Sequence, residues 1–324
     1  MARTPIKIGV IGASGYTGGE LIRLLLRHPA VELRSLYSRT HAGKAIAEIH
    51  SDLLGECDLK FSSELAGDLD VLFLCLGHGE SKKFLQDHAV EARVKIIDLS
   101  QDFRGPNEHG FVYGLPELQR DSLRQAARIA NPGCFATCIQ LALLPLAKEH
   151  KLRDEIHVSA ITGSTGAGQA LSETTHFTWR SNNLSVYKAF EHQHLAEIRQ
   201  SLRALQPGWN AALNFIPMRG AFTRGILAAV YLQCDLTLEQ ANDLYTSYYA
   251  PHPFAHVTRR NPDVKQVVNT NNCVLYLEKH NDKLLIVSVL DNLLKGASGQ
   301  AVQNMNLMFG LEETLGLRLK AVAF

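Results

Sequence analysis

The sequence predicts two domains of different class: an α/β domain built on a parallel sheet, then an α+β domain with a mostly antiparallel sheet. Three observations carry this. The length, 324 residues, is about twice the ~100–200 of one domain. Up to Asn131, short apolar strand-like runs alternate with helical stretches, the pattern of right-handed βαβ units. After Asn131-Pro132-Gly133 the apolar runs follow one another with fewer long helices between them.

Taken in order, Ile6-Lys-Ile-Gly-Val-Ile11 is short, β-branched and strand-like. Gly12 to Gly18 reads as a turn, and Glu20 to Arg27 as a helix with Leu21, Leu24 and Leu25 on one face, stopped by Pro29. Val31–Tyr37, 70–76 and Val94–Leu99 are the next strands. A helix is expected from Cys134 to Lys148. Strands follow at His157–Thr162, Ala212–Pro217, Gly225–Gln233, Cys273–Leu277 and Leu284–Leu290, with a last helix from Gly299 to Phe309. No repeat, low-complexity linker or charge run separates the halves, so they are expected to pack directly, with a cleft between them as the default site.

Composition narrows the function. Lys plus Arg total 33 against 32 for Asp plus Glu, a balance that argues against a nucleic-acid surface. No apolar stretch approaches the ~20 residues of a membrane span. Met1 to Pro5 carries no signal-peptide pattern, so a cytoplasmic protein is expected. The six cysteines form no CxxC pair, which speaks against a zinc ribbon or a disulfide scaffold.

Gly12-Ala-Ser-Gly-Tyr-Thr-Gly18 lies between the first strand and the first helix. Glycines there let backbone amides approach a pyrophosphate at the positive end of the helix. The spacing is GxxGxxG, and no Gly-Lys-Ser/Thr follows, so it is not a P-loop. Gly12, Ser14, Gly15, Tyr16 and Thr17 are therefore candidates for binding a dinucleotide. An acidic residue about 20 positions on would hold an NAD ribose. Tyr37-Ser38-Arg39-Thr40 stands there instead, and Ser38 with Arg39 suits a 2′-phosphate, hence NADP.

Cys134 sits at or just before a helix start, where amides and the helix dipole stabilise a thiolate. A thiolate needs a proton-transfer partner. In Glu191-His-Gln-His-Leu-Ala-Glu197, a helix would place His194 and Glu197 on one face and point His192 elsewhere. The carboxylate could then fix the imidazole tautomer. No third ligand accompanies the two histidines, so no metal is expected.

Together these pieces resemble the N-acetyl-γ-glutamyl-phosphate reductase family of semialdehyde dehydrogenases, NADPH-dependent acyl-phosphate reductases of arginine biosynthesis. The resemblance runs over nearly the whole chain. It is carried by residues 12–21, by Ile97-Asp-Leu-Ser-Gln-Asp-Phe-Arg104, by Val112-Tyr-Gly-Leu-Pro-Glu-Leu118 and by Ala130-Asn-Pro-Gly-Cys134. Further marks are His192-Gln-His-Leu-Ala-Glu197, Thr223-Arg-Gly-Ile-Leu-Ala228 and the segment 291–306.

The resemblance implies a Rossmann NADP-binding domain over 1–133, rejoined by 299–324, and an α+β catalytic and oligomerisation domain over 134–298. It implies Cys134 as nucleophile, His194 as acid/base and Glu197 beside it. Gly163, Ser164 and Asn292 join the cofactor candidates. Arg104, Asn131, Lys188, His192, Arg219 and Arg224 are the candidates for holding substrate. The expected substrate is a small acyl phosphate, and the expected assembly a homo-oligomer, dimer or tetramer. Two rivals stand beside this reading. One is another acyl-phosphate reductase, of the aspartate-semialdehyde dehydrogenase kind or acting on another N-acyl or carrier-linked glutamyl phosphate. The other is a non-catalytic NADP-binding sensor.

Overall fold

In the computed structural model, which describes residues 4–106 and 108–323, strand β1 (Ile6–Ile11) is buried at every position but Lys7. It pairs in parallel with β2 (Val31–Tyr37) on one side and β3 (Val71–Leu74) on the other. A strand covered on both faces must be apolar throughout, which is why this run shows no alternation. Helix α1 (Tyr16–Leu25) crosses between β1 and β2 with Leu21, Ile22, Leu24 and Leu25 buried. It begins four residues before the expected Glu20, because the turn closes at Gly15, its N-cap.

The rest of this first layer is α2 (Ile46–Ile49), α3 (Glu80–Asp87), β4 (Lys95–Asp98), β5 (Val112–Tyr113), α4 (Pro116–Gln125) and β6 (Arg128–Ala130). The six strands form one parallel sheet in the order β2-β1-β3-β4-β6-β5. Helix α4 is broken at Gln119, where φ is −152°. Of the short segment between Arg104 and Val112, Asn107 lies outside the described residues, as do Met1 to Arg3.

The second half opens with α5 (Cys134–Lys148), buried without interruption from Phe135 to Ala147. It continues through β7 (Ile156–Thr162), α6 (Phe177–Arg180), β8 (Ser185–Val186), α7 (His194–Leu205), β9 (Leu213–Arg219) and β10 (Ile226–Gln233). Then come α8 (Leu238–Tyr249), β11 (Ala255–Thr258), β12 (Cys273–His280) and β13 (Lys283–Leu290). The seven strands run in the order β11-β12-β13-β10-β7-β9-β8. β10 is antiparallel to both β7 and β13, whereas β7–β9 and β11–β12 are parallel, so the sheet is mixed and mostly antiparallel. Strands β7 and β9 alternate buried and partly buried residues, as expected when one face packs on helices.

Helix α9 (Gly299–Met308) is buried along its whole length although it carries two Gln and two Asn. Buried amides must be paired. Asn304 donates to the Gly114 carbonyl (2.9 Å) and to Asn131 Oδ1 (3.0 Å), Gln303 to Glu313 Oε1 (2.7 Å), and Asn306 to the Leu315 carbonyl (2.9 Å). By its contacts the chain divides into one unit of residues up to Leu115, Gln119–Pro132 and Ala297–Arg318, and a second of Pro116–Leu118, Gly133–Gly296 and Leu319 onward. The expected boundaries need correcting at the tail. The segment from Leu319 does not stay with the first unit: the Val322 N–H donates to the Val268 carbonyl (3.2 Å) and the Ala323 N–H to that of Lys265 (3.1 Å).

Candidate active site

In the first unit, the end of β1 and the end of β2 meet in a pocket of about 220 Å³ whose lining includes Gly12, Ser14, Ser38, Arg39, Thr40 and Lys83. Gly12 has φ +73°, and a Cβ there would lie 2.4 Å from the Cys75 carbonyl oxygen, so only glycine fits. The Ser38 hydroxyl lies 3.4 Å from that of Ser14 and 3.4 Å from that of Thr40. Three hydroxyls and a guanidinium thus line one pocket. Gly15, Tyr16 and Thr17 build the turn without lining the pocket: Gly15 caps α1, and the Thr17 carbonyl accepts from Ser298 Oγ (2.8 Å). Lys83 and Glu80 come from α3, and no spacing signal in the sequence points to them.

In the second unit, Cys134 is the first helical residue of α5, with Gly133 as its extended N-cap. It is partly exposed, whereas Cys138, Cys234 and Cys273 are buried. Burial drives Cys138 well above the ordinary thiol range and pushes Cys75 and Cys273 up to about 12. Helix α7 begins at His194, so His194 and Glu197 do share its first turn: Nε2 lies 3.8 Å from Glu197 Oε1, and both side chains are buried. Glu197 Oε2 also accepts the Gly133 N–H at 3.1 Å. One carboxylate therefore joins the turn carrying Cys134 to the His194 ring. A Cβ on Gly133 would lie 2.3 Å from His194 Nε2, which measures how closely the imidazole rests on that turn.

His192 does not point away. It precedes α7, so helical spacing does not govern it, and its ring lies 4.5 Å from that of His194 in an edge-on contact. His192 Nδ1 accepts the His194 N–H (3.2 Å), and Phe135, Phe215 and Tyr187 surround the ring. Burial, with the Lys188 and Arg219 cations nearby, lowers its pKa to about 4, so it is neutral at physiological pH.

The basic candidates divide into two groups. Lys188 is exposed, at φ +45°, with Nζ 3.5 Å from Gln193 Oε1. Arg219 stacks its guanidinium on Tyr187 at 4.6 Å, and its buried Nε makes no hydrogen bond among the described residues. The others are tied into the scaffold. Arg104 donates to the carbonyls of Asn131 and Leu99 (both 2.9 Å). Arg224 pairs with the buried Asp291 at 3.0 Å. Asn131 donates to the Ala297 carbonyl (3.0 Å) while accepting from Asn304 (3.0 Å).

Asn292 accepts the Gly225 N–H (2.8 Å) and donates to Thr165 Oγ1 (3.0 Å). It holds two loops together. Gly163 explains itself sterically, since a Cβ would lie 2.4 Å from the Thr223 carbonyl oxygen. Ser164 is partly exposed and fixed through its N–H to the Phe222 carbonyl (2.8 Å).

Sequence reasoning passed over Tyr187, Arg180, Asp291, Gly133 and Gly296. Arg180 packs on Trp179 and donates to the Arg219 carbonyl at 2.7 Å, fixing the β9 end. The contacts of Tyr187 with Arg219, of Gly133 with Glu197 and of Gly296 with Cys134 join positions far apart in the sequence. Among the described residues, no group of three or more His, Cys, Asp or Glu is placed to hold a metal, and no helix is long and apolar enough to cross a membrane.

The fold is that of the semialdehyde dehydrogenases. Residues 7–126 match the family described as semialdehyde dehydrogenase, NAD binding domain, and residues 134–292 the one described as semialdehyde dehydrogenase, dimerisation domain. The solved aspartate semialdehyde dehydrogenase II of Vibrio cholerae, complexed with ASA, superposes with a TM-score of 0.75 over 95% of this chain and 99% of its own, at 17% identity. The aspartate semialdehyde dehydrogenase of Candida albicans, with NADP, gives 0.72 over 94% and 98%, at 16% identity. N-acetyl-gamma-glutamyl-phosphate reductases from Parabacteroides distasonis and Bacteroides fragilis are 59% and 57% identical, over 98% of this chain and the whole of each relative. The chain belongs to the N-acetyl-gamma-glutamyl-phosphate reductase family of semialdehyde dehydrogenases.

Proposed function

We propose that this chain reduces N-acetyl-γ-glutamyl phosphate to N-acetylglutamate semialdehyde with release of phosphate, in arginine biosynthesis. The observation that carries the reading is the cluster of Cys134, His194 and Glu197 around the start of α5, in a chain 59% identical to a reductase of that name.

The Cys134 thiolate, favoured by the helix start, attacks the γ-carbonyl. The acyl–oxygen bond to phosphate breaks, inorganic phosphate leaves, and an S-acyl thioester remains on Cys134. Splitting the reaction at a covalent intermediate replaces one hard step with two easier ones. NADPH, when bound, supplies the hydride. Gly12, Ser14, Ser38 and Arg39 are the residues fitted to hold its ADP-ribose half, since the cradle at Gly12 has no room for a side chain. His194 donates a proton to the oxyanion that forms on the reduced carbon and takes it back as the adduct collapses, and Glu197 orients its ring. Collapse of that adduct expels the Cys134 thiolate and frees the aldehyde. Lys188 and Arg219 meet the negative charges of the substrate, and neutral His192 offers a polar edge beside them. Asn292 and Arg224 act by holding loops of the second unit, and Arg104 and Asn131 by holding loops of the first.

The enzyme works in the cytoplasm as a homo-oligomer, a dimer or tetramer formed through the second unit. Its sheet supports this: Leu227, Val274, Tyr276 and Leu285 remain only partly buried around Val287 and Val289, a face suited to a second copy.

The test is NADP reduction in the reverse direction, with inorganic phosphate and a panel of N-acylated glutamate semialdehydes beside aspartate semialdehyde. The expected result is phosphate-dependent turnover, fastest with the N-acetyl compound and abolished by Cys134→Ala. Preference for aspartate semialdehyde would move the assignment to the sister activity. Sustained turnover without phosphate would make it a hydrolytic dehydrogenase, and NADP binding without any turnover a sensor.

A further inference from the structure

We propose that the buried ion pair between Lys295 and Glu117 is a positioning device for Cys134. It acts through the single π-helical turn Leu294–Ser298, on which Lys295 stands next to Gly296. Isolated π turns concentrate at functional sites, where they re-aim the backbone.

Gly296 is the point of contact. A Cβ there would lie 2.8 Å from Cys134 Cβ and 3.2 Å from Cys134 Cα, so the backbone of the turn lies directly against the cysteine. The placement of this turn sets what packs against the Cα and Cβ of Cys134. Two anchors fix it. On the upstream side, Asp291 Oδ1 accepts the N–H groups of Leu293 (2.8 Å) and Leu294 (3.2 Å), while the Asp291 carbonyl accepts that of Gly296 (2.9 Å). On the other side, Lys295 extends into the core and meets Glu117 Oε1 at 2.8 Å, with neither side chain exposed to solvent. Glu117 is itself held, since Tyr248 Oη donates to its carbonyl at 3.0 Å. Burial opposes the Glu117 charge, yet Lys295 beside it holds the carboxyl below its ordinary range.

A fully buried ion pair is a poor way to gain stability, because desolvation offsets most of the Coulomb attraction and an apolar pair of similar volume does as well. What it supplies is a fixed length and direction. The Lys295 ammonium is held on Glu117 Oε1, and that contact sets the register of the turn that carries Gly296.

This inference rests on Cys134 being the nucleophile, and the two fail differently. Turnover surviving in Cys134→Ala would remove the nucleophile. The positioning role is read from the rate of Cys134 alkylation by iodoacetamide, mapped by mass spectrometry, which needs no turnover. The decisive variant is Lys295→Met with Glu117→Met, which removes both charges and leaves no unpaired ion in the core. With thermal unfolding as in the parent chain, kcat should fall ~10²-fold, the effect of displacing a reacting group by about 1 Å. KM should change little, Cys134 alkylation should slow, and Gly296→Ala should reproduce the same pattern. A double variant of unchanged melting temperature, unchanged kcat and unchanged alkylation rate overturns the proposal. If it does not fold, Glu117→Gln, which keeps the shape and one acceptor oxygen, takes its place: slowed alkylation with reduced kcat upholds the device, and parent values for both overturn it.

Discussion

At the scale of single residues, the site depends on which partner each side chain has already taken. His194 rests on Gly133 and beside Glu197. General acid/base catalysis is typically worth ~10²–10⁴-fold, so His194→Asn should lower turnover by about that factor with NADPH binding retained. Glu197→Gln should cost less, since it removes the orienting group and not the proton carrier. Steady-state kinetics at saturating substrate checks both, and a His194→Asn variant near full turnover would sink the assignment. In the other unit, Ser14, Ser38 and Arg39 share one pocket. Arg39→Ala should raise the KM for NADPH several-fold and leave NADH kinetics alone, and equal effects on the two cofactors would remove the 2′-phosphate contact. Cys134, His194, Glu197, Ser38 and Arg39 were legible from residue type and short-range spacing. Arg104, Arg224, Asn131 and Asn292 were not, because their hydrogen-bond partners stand 5 to 173 positions away along the chain.

At the scale of elements, two helix starts meet on one glycine. Gly133 caps α5, donates its N–H to Glu197 on α7, and leaves no room for a Cβ under the His194 ring. Its backbone, φ −71° and ψ 153°, is open to any residue. Gly133→Ala should therefore fold, displace the imidazole, and reduce kcat ~10²-fold while Cys134 remains alkylated by iodoacetamide. Unchanged kcat would mean that the ring has no catalytic task at that spot. The start of α5 at Cys134 was readable because Pro132-Gly133 is followed by a long apolar run. The position of His192 was not, since α7 starts two residues after it and helical geometry says nothing about a side chain ahead of the helix. The π turn at Leu294–Ser298 likewise has no composition of its own to announce it.

At the scale of the whole molecule, one buried ring sets a pH limit. His192 has a folded pKa of about 4, below the ~6.5 of the unfolded chain. Between these values the unfolded chain binds a proton that the folded chain refuses. Stability is therefore full above pH 6.5 and falls as pH drops towards 4, by about 3 kcal/mol from this group. The urea midpoint should fall between pH 7 and pH 4.5, and His192→Gln should flatten that slope. An unaltered slope in the variant would mean that His192 is not protonated differently in the two states.

By itself the sequence determined what depends on neighbours in the chain: the strand runs, the glycine turn after β1, the helix start at Cys134, the His194–Glu197 spacing and the two-domain division near Asn131. These are local, because backbone propensity, helical period and turn chemistry act over a few residues. The tertiary structure decided what depends on packing at long range. It sent residues from Leu319 to the β-sheet unit, where the Val268 and Lys265 carbonyls accept their N–H groups. It tied Arg104, Arg224, Asn131 and Asn292 to partners distant in the chain and set His192 beside His194. Buried polar groups must be paired, and which partner each one finds is settled only when distant segments meet.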